Sequence, residues 1–338
     1  MSLSPLLAVE DLEVVYATPR GDVHALWGVS FEVEKGKIYG IVGESGCGKT
    51  ATGRAILRLV PPPGRITEGR ILFHGEDLVP KSESAMRSVR GKRITMVFQD
   101  PSAALNPLFT VGQQLLAIMK RHQVAFGSEL TRRAVQTMEE LGLPSPREIL
   151  DRYPHQLSGG MQQRVMIAMA LCTEPDLIIA DEPTSALDVT IQSQILDILV
   201  EQQKRRGLSI ILITHDLGVV AETCDEVAVF YSGRIVERGG VREIFRHPRH
   251  PYTQGLLGAL PKPQHCGDPL KVIPGSVPTN LEPIQGCAFA NRCEHTMHCC
   301  WQTRPPLLDF SETHSAACFL YPQRMDDEAA AWPRTAAS

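Results

Sequence analysis

Apolar residues follow two different periods along the chain. In LAVEDLEVVY and VSFEVEKG they alternate with polar residues, which predicts half-buried strands. Unbroken apolar runs in KIYGIVG, DLIIAD and SIILITHD predict buried strands, and the first of them runs into a Gly-rich turn. Further strands are predicted at GRILFHG and KRITMVFQ, and DEVAVFYSGRIVERG predicts a hairpin. Strands therefore recur from the start of the chain to about residue 240.

Helical periodicity separates these strands. TATGRAILRLV predicts a helix that ends at PPPG, where proline stops it. Residues 107–170 are mainly helical in pattern, in VGQQLLAIMKRHQ, SELTRRAVQTMEELGL and SGGMQQRVMIAMALC, and TIQSQILDILVEQQKRRG predicts an amphipathic helix. Strands that alternate with helices indicate an α/β fold whose mostly parallel sheet is covered on both faces.

The amino-acid composition of the chain changes near residue 247. HPRHPYTQGLLGALPKPQ is rich in proline and histidine, and proline and cysteine dominate from there to about residue 322. We therefore predict a main domain over residues 1–246 and a small, irregular, Cys-rich extension over 247–325. Residues 326–338 read as a frayed tail.

Composition narrows the class of protein. Of 338 residues, 43% are hydrophobic and 21% are charged, which is ordinary for a globular protein. The net charge of −4 argues against bulk binding of nucleic acid. No run approaches the roughly 20 apolar residues of a membrane span, and the N-terminus lacks a signal-peptide pattern. We therefore expect reduced cysteines without disulfides, and membrane association only through a partner.

The segment GESGCGKT, Gly43–Thr50, fits the phosphate-loop pattern G-x-x-x-x-G-K-[ST] between a buried strand and a helix. Its glycines allow backbone N–H groups to face phosphate oxygens, and the helix N-terminus adds positive dipole. Lys49 would bridge the β- and γ-phosphates and Thr50 would ligate Mg²⁺. An ordinary Gly-rich turn is the alternative, and Cys47 is interpreted as a small filler. The expected ATP contacts are Gly43, Glu44, Ser45, Gly46, Cys47, Gly48, Lys49, Thr50 and Ala51.

An acidic pair ends the strand in LIIADEP. Asp181 falls at the carboxyl end of that strand, where ligands bind in open α/β sheets. It can hold Mg²⁺ through water, and Glu182 can polarise an attacking water. The pair alone would more often be a solvated turn, but behind a phosphate loop the metal-and-base interpretation is favoured.

A third motif, LSGGMQQRV, places Ser158, Gly159 and Gly160 before a strong helix. This is a second helix N-terminus able to bind phosphate. One domain has no geometric need for two γ-phosphate sites. Two copies facing head to tail would use both, with each nucleotide between one loop and the opposite SGG.

With these three motifs, residues 6 to about 240 resemble the ATP-binding subunit of ABC transporters. The resemblance implies a P-loop NTPase fold with a helical subdomain at about residues 100–165, and ATP hydrolysis with Mg²⁺ as cofactor. It implies that Gln99, in VFQDP, senses Mg²⁺ and the attacking water, and that His215, in LITHD, contacts the γ-phosphate. Asp188, in SALD, would couple two active sites. Tyr16 would stack on adenine, with a core tyrosine as the alternative.

The implied catalytic set is Glu182, His215, Gln99 and Lys49, and the implied Mg²⁺ ligands are Thr50, Gln99 and Asp181. PSAALNPLFTVGQQL, RYPHQLSGGMQQR and HPYTQGLLGALP resemble importers of the oligopeptide/dipeptide (peptide/nickel) group. That resemblance implies peptide uptake, with nickel or sugar as alternative cargo. A soluble ABC protein acting on ribosomes or DNA and a regulatory ATP clamp are rival classes.

The same resemblance implies partners and a location. It implies a second ATP-binding subunit in a heterodimer, two transmembrane permeases and an extracytoplasmic solute-binding protein, with no nucleic acid. A homodimer stays open. The expected location is the cytoplasmic face of the inner membrane, as a peripheral subunit.

Five cysteines cluster as Cys287-x5-Cys293-x5-Cys299-Cys300-x17-Cys318. Zinc sites favour C-x2–4-C pairs, which are absent here, although His295, His298 and His314 could complete a looser site. Thiolates on irregular loops suit an iron–sulfur cluster, so both metals stay open. The importer resemblance implies a [4Fe–4S] cluster through C-x5-C-x6-C and a distant Cys. The matching ligands are Cys287, Cys293, Cys300 and Cys318, with Cys299 possible as the third. Cys172, Cys224 and Cys266 fall outside this pattern and are interpreted as packing or surface residues.

Overall fold

The computed structural model describes residues 4–185, 187–260, 273–278 and 284–322. Cys266 and the predicted tail 326–338 lie outside the described residues, as does Ala186 of the SALD motif.

The strands follow the predicted apolar segments closely. In chain order they are β1 (Leu7–Thr18), β2 (Gly21–Val33), β3 (Ile38–Val42), β4 (Gly64–Phe73), β5 (Glu76–Asp77), β6 (Ile94–Val97), β7 (Leu177–Asp181), β8 (Ser209–Thr214), β9 (Glu226–Tyr231), β10 (Arg234–Gly240), β11 (Leu308–Asp309) and β12 (Ser315–Ala316).

The long helices coincide with the segments of 3.6-residue period. In chain order the helices are α1 (Lys49–Ile56), α2 (Glu83–Val89), α3 (Pro101–Ala104), α4 (Val111–Arg121), α5 (Ser128–Glu140), α6 (Pro146–Leu150), α7 (Gly159–Leu171), α8 (Val189–Arg206), α9 (Leu217–Thr223), α10 (Val241–Arg246), α11 (Pro251–Gly258) and α12 (His298–Gln302). Residues 101–171, around the predicted helical subdomain, therefore contain helices α3 to α7 and no strand.

The larger sheet has its strands in the order β11-β12-β10-β9-β3-β8-β7-β6 within the described chain. Strands β9, β3, β8, β7 and β6 pair in parallel, whereas β10 and β12 are antiparallel additions at one side. Along β7, Ile178 and Ala180 join the apolar cluster beneath helices α4, α5, α7 and α8, and Ile179 joins the cluster on the opposite face. The predicted parallel sheet covered on both faces is confirmed.

A separate four-stranded sheet, β2-β1-β4-β5, is antiparallel throughout. Its buried residues share one core cluster with β3, β8 and α1. The alternating pattern of β1 and β2 correctly predicts half-buried strands, but their membership of a second sheet was not predicted. Alternation reports that one face of a strand is buried and not which sheet that strand joins.

Helix α1 is shorter than its sequence predicts. The pattern predicted a helix as far as PPPG, yet α1 ends at Ile56 and Arg58 has φ +51°, in the left-handed region. The Arg58 guanidinium donates to the carbonyl of Leu78. A tertiary contact therefore accompanies a chain reversal that the local pattern did not indicate.

The C-terminal segment, by which we mean the described residues from 247 onward, packs on the carboxyl side of the main sheet. Tyr252 and Phe289 join Tyr231 of β9 in one apolar cluster. Strands β12 and β11 extend the sheet beyond β10. Where its residues are described, the chain has no helix of the length and apolar character needed to cross a bilayer.

Candidate functional site

The phosphate loop, residues 43–50, connects β3 to α1 at the carboxyl end of the parallel sheet. Gly43 has φ +156°, and a Cβ atom there would lie 2.2 Å from the carbonyl oxygen of Phe230. Gly48 has φ +104°, and its Cβ atom would lie 2.6 Å from the carbonyl oxygen of Ala25. Close backbone approach therefore excludes side chains at both positions, as the phosphate-loop pattern requires.

Lys49 is the first residue of α1 and is 5% exposed. Its Nζ donates hydrogen bonds to the carbonyl oxygens of Gly43, at 2.7 Å, and of Glu44, at 3.0 Å. The ammonium group is thus held inside the curve of the loop by the loop's own backbone. Cys47 is buried, and burial raises the pKa of its thiol. This burial agrees with the interpretation of Cys47 as a small filler.

Asp181 is the last residue of β7, and it meets Thr50 at the start of α1. Thr50 Oγ1 donates to Asp181 Oδ1 at 3.0 Å, and Asp181 is 3% exposed. Burial raises the pKa of Asp181, and the hydrogen bond from Thr50 acts in the opposite direction. A hydroxyl and a carboxylate are oxygen donors of the kind that Mg²⁺ prefers. Two of the three residues predicted as Mg²⁺ ligands, Thr50 and Asp181, therefore lie in direct contact.

Glu182 lies between two other predicted residues. Gln99 Nε2 donates to Glu182 Oε2 at 3.1 Å, and His215 Nδ1 lies 3.2 Å from Glu182 Oε1. Gln99 follows β6 and His215 follows β8, so neighbouring parallel strands bring the three side chains together. Glu182 itself has φ +45°, a strained value for a residue with a side chain. We call the phosphate loop with Gln99, Asp181, Glu182 and His215 the edge site.

The SGG motif forms a separate cluster. Ser158 caps α7 and accepts a hydrogen bond from the Met161 N–H, and Ser158 and Gly159 are exposed. Asp188 caps α8 by accepting from the Ile191 N–H at 3.0 Å, and Ile191 also approaches Gly160. Within the residues that the structure describes, neither cap hydrogen bonds to the phosphate loop. Within this chain both side chains therefore act as helix caps.

Tyr16, the predicted adenine-stacking residue, lies in β1 of the antiparallel sheet. Its ring is half-buried and packs against Gly64 of β4, and it contacts the core cluster of that sheet. Both of its interpretations, adenine contact and core residue, are compatible with this half-buried position.

Two residues of the C-terminal segment reach the phosphate loop, and sequence reasoning missed both roles. The N–H of Glu44 donates to the hydroxyl of Tyr252 at 3.0 Å. The Glu44 carboxylate accepts two hydrogen bonds from Arg292, at 2.6 and 3.0 Å. Tyr252 belongs to the HPYT stretch, which the sequence singled out. No motif marked Arg292.

Four of the clustered cysteines, Cys287, Cys293, Cys300 and Cys318, line one small cavity of about 10 Å³, which we call the cysteine cavity. That volume has room for about one water molecule. Cys299 does not line the cavity, and of the three candidate histidines only His295 does. His314 instead pairs with the buried carboxylate of Glu237 at 2.8 Å. The structure thus selects Cys300 over Cys299 as the cavity thiol.

The cysteine cavity is not arranged as a finished metal site. Among the residues that the structure describes, no three His, Cys, Asp or Glu side chains could hold a metal ion as they stand. The four thiols nevertheless converge from separate segments, Cys300 from α12 and the other three from irregular loops. Cys172 is buried and Cys224 is half-buried, away from this cavity, and burial raises the pKa of each thiol to about 12.

Parallel strands, a phosphate loop and an acidic pair at the carboxyl edge define a P-loop ATPase of the α/β class. The sequence profile of the ABC transporter family matches residues 26–185. The profile of the oligopeptide/dipeptide transporter C-terminal region matches residues 236–300, which include HPYT and the first four clustered cysteines.

Individual relatives agree with both profiles. The oligopeptide transport ATP-binding protein OppD of Bacillus subtilis (strain 168) is 49% identical over 317 residues, which cover 93% of this chain and 88% of that protein. The dipeptide transport ATP-binding protein DppD of the same organism is 47% identical over 325 residues, which cover 96% and 97%. This chain therefore belongs to the ABC transporter ATP-binding proteins, in the oligopeptide/dipeptide group, and is an ABC-type ATPase.

Solved structures confirm the fold. The chain superposes on the ATP-binding cassette MJ0796, determined as a post-hydrolysis dimer bound to ADP and Pi, with a TM-score of 0.63 and 26% identity over 70% of this chain and 99% of that one. It superposes on cbiO1 from Clostridium perfringens, part of the ABC transporter complex cbiONQ, with a TM-score of 0.62 and 31% identity over 72% and 92%.

Proposed function

We propose that this chain is the ATP-hydrolysing motor subunit of an ABC importer that drives uptake of oligopeptides or dipeptides. The observation that carries the chemistry is the placement of Glu182 between Gln99 and His215, beside the contact of Thr50 with Asp181. The assignment of peptide as cargo rests on the relatives, because this subunit contributes motor parts rather than a substrate pocket.

In this proposal water attacks the γ-phosphate in line, and Glu182 orients and polarises that water. Gln99 and His215 hold the carboxylate of Glu182 in place, and His215 contacts the γ-phosphate. Lys49 moves from its loop carbonyls to the β- and γ-phosphates, and charge on the transferring phosphoryl group is stabilised there. Thr50, Gln99 and Asp181 would hold Mg²⁺, which neutralises phosphate charge when bound.

A second ATP-binding subunit would complete the ATP site. Ser158, Gly159 and Gly160 are exposed or partly exposed at the start of α7, on a cluster separate from the phosphate loop. A facing ATP-binding subunit would place its own SGG against the nucleotide held here, and Asp188 would couple the two sites. We propose a heterodimer, with the homodimer as the outcome that would replace it.

The remaining partners follow from the importer assignment. They are two transmembrane permeases and an extracytoplasmic solute-binding protein, and the chain would sit peripherally on the cytoplasmic face of the inner membrane. Nickel or a sugar is the alternative cargo. The proposed domain division is a main domain over residues 1–246, with its helical subdomain at about 100–165, and an extension over 247–325.

The test reconstitutes this chain in vesicles with the proposed permeases, solute-binding protein and second ATPase. ATP hydrolysis stimulated by the peptide-loaded binding protein, together with uptake of labelled peptide, is the expected result. Stimulation by nickel or sugar instead would reassign the cargo. Hydrolysis that is indifferent to permeases would favour a soluble ABC ATPase.

We further propose that the cysteine cavity holds a [4Fe–4S] cluster through Cys287, Cys293, Cys300 and Cys318. The donor set supports this proposal, because four thiols and no carboxylate line the cavity. The cavity of about 10 Å³ is too small for a cluster without rearrangement, so the segments that carry the thiols would have to move apart. Zinc is the alternative, and a single ion would require less opening.

Anaerobic purification followed by analysis of iron, acid-labile sulfide and zinc separates these outcomes. Iron and sulfide in equal amounts with a brown colour are expected. A colourless protein that carries zinc would replace the cluster with a zinc site and would leave the ATPase proposal unaffected.

A further inference from the structure

Glu44 places a carboxylate within the loop that is expected to bind triphosphate. Such a charge opposes the binding of a polyanion unless a cation neutralises it. Arg292 pairs with it in a bidentate fork, from Nη1 to Oε2 at 2.6 Å and from Nη2 to Oε1 at 3.0 Å. The two residues are 248 positions apart in sequence, so a distant segment neutralises the loop.

Arg292 is fixed from several directions. Its side chain is 3% exposed, against 29% for Glu44. Its Nε donates to the Pro274 carbonyl at 2.8 Å, and its guanidinium lies over the rings of Tyr231 and Phe289. A buried arginine that is fixed by such contacts is pre-organised to pair with Glu44, because little side-chain freedom remains to be lost.

Tyr252 holds the backbone of the same loop residue. Its hydroxyl accepts the Glu44 N–H at 3.0 Å, and its ring is fully buried against Tyr231. Side chain and backbone of Glu44 are therefore both held by the C-terminal segment. A loop that is ordered before the nucleotide arrives loses less conformational entropy on binding.

We propose that Arg292 and Tyr252 are positioning residues that set the affinity of the phosphate loop for ATP through Glu44. This inference rests on the proposed ATP site. It assigns the C-terminal segment a direct part in nucleotide binding. Arg292 directly precedes Cys293, which lines the cysteine cavity.

The experiment measures the Kd of the full-length chain for a fluorescent ATP analogue. Arg292→Ala exposes the loop to the unpaired carboxylate and is expected to weaken binding on the order of tenfold or more. Adding Glu44→Gln to Arg292→Ala removes that charge and is expected to restore most of the affinity. Tyr252→Phe deletes one neutral hydrogen bond and is expected to weaken binding by about two- to tenfold.

Arg246→Ala is the matched control, because Arg246 is exposed on α10 and makes no ion pair within the described chain. It is expected to bind the analogue as the wild type does. If Arg292→Ala does not fold by circular dichroism, Arg292→Gln replaces it, since its amide can still donate to Pro274, with the same expected loss and rescue.

Two results would overturn the inference. One is unchanged affinity in the Arg292 variant, and the other is a loss that Glu44→Gln does not restore, which would mean a structural role only. Failure of the wild-type chain to bind the analogue would instead count against the proposed ATP site, so the two failures are distinguishable.

Discussion

The edge site and the C-terminal segment are held together by different structural means. Residues of the edge site follow four neighbouring parallel strands, β3, β8, β7 and β6, so the register of the sheet places them together. The C-terminal segment has two-residue strands, short helices and irregular loops. Individual side-chain contacts hold it, such as the pair of Arg292 with Glu44 and that of His314 with Glu237.

The difference lies in what each region packs around. The apolar clusters on the two faces of the main sheet each contain more than twenty buried residues, whereas the cluster beside the cysteine cavity contains Ala290, Cys300 and Phe319. A cluster of three residues contributes little hydrophobic stabilisation. Substitutions in the edge site should therefore change chemistry and leave the fold intact. Substitutions around the cysteine cavity should change structure first.

The largest expected effect is that of Glu182→Gln. The amide keeps the size of the side chain but cannot act as a base, so steady-state hydrolysis should fall by about 10²- to 10⁴-fold. ATP binding should remain, because Glu182 is not a loop residue. Phosphate release and analogue binding, measured on one preparation, check both parts.

Glu222→Gln is the control for that experiment, since Glu222 is exposed on α9 and outside the edge site. Its turnover should match that of the wild type. Wild-type turnover in Glu182→Gln would remove Glu182 from the catalytic role, and simultaneous loss of folding would contradict the contrast between the two regions.

The next effect compares two adjacent cysteines. Cys300 lines the cysteine cavity and is buried, whereas Cys299 is partly buried and does not line it. Cys300→Ser should lose its iron and acid-labile sulfide and unfold at a lower temperature. Cys299→Ser should retain both. Metal analysis and thermal unfolding are the measurements.

Equal iron in the two serine variants would contradict the four-ligand assignment, and loss in Cys299→Ser alone would transfer the third ligand to Cys299. Neither result depends on ATP hydrolysis, so the cysteine cavity is tested separately from the edge site.

The edge site could be predicted because each of its residues belongs to a short motif at the end of a buried strand. The structure brings Thr50 to Asp181, and Gln99 and His215 to Glu182, since parallel register brings the ends of neighbouring strands to one edge. No sequence motif indicated the strained backbone of Glu182, which has φ +45°. A sign of that strain exists only in the three-dimensional structure.

Arg292 could not be predicted for a physical reason. An arginine between an asparagine and a cysteine has no periodicity, and its partner lies 248 positions away. The second sheet was missed for a similar reason, because alternation in β1 and β2 identifies a buried face without naming its partners. In both cases long-range pairing, rather than local propensity, determines the outcome.

A smaller effect on stability is expected at Glu237, where the C-terminal segment contacts the main sheet. Glu237 of β10 is 0% exposed, and its carboxylate accepts from the N–H groups of Arg249, at 2.6 Å, and His250, at 3.0 Å, and pairs with His314. Glu237→Gln leaves only one carbonyl oxygen to accept hydrogen bonds from these partners. The new amide NH₂ group would face a group that is itself a hydrogen-bond donor. The free energy of unfolding should fall by about 1–3 kcal/mol.

Limited proteolysis alongside chemical denaturation checks where that loss falls. Cleavage should increase in the C-terminal segment and not in helices α3 to α7. Uniform sensitivity of the C-terminal segment and helices α3 to α7 would show that they unfold as one unit and would contradict a local role for Glu237.

The smallest expected effect concerns an ion pair inside the main domain. Glu140 of α5 contacts Arg205 and Arg206 at the end of α8, and these arginines are 43% and 23% exposed, unlike Arg292 at 3%. Partly solvated pairs contribute little, so Glu140→Gln should lower the free energy of unfolding by about 0.2–1 kcal/mol. Analogue binding should be unchanged.

The pH dependence of that small contribution has a definite sign. Burial alone would raise the pKa of Glu140, but hydrogen bonds and charge from Arg206 and Arg205 hold that pKa below its usual value. The contribution is therefore present above about pH 4.3, the ordinary value for glutamate, and is lost as the pH falls through the lower folded-state pKa. Denaturation of the wild type and Glu140→Gln should converge in acid. A gap that widened in acid would reverse the sign and contradict the ion-pair assignment.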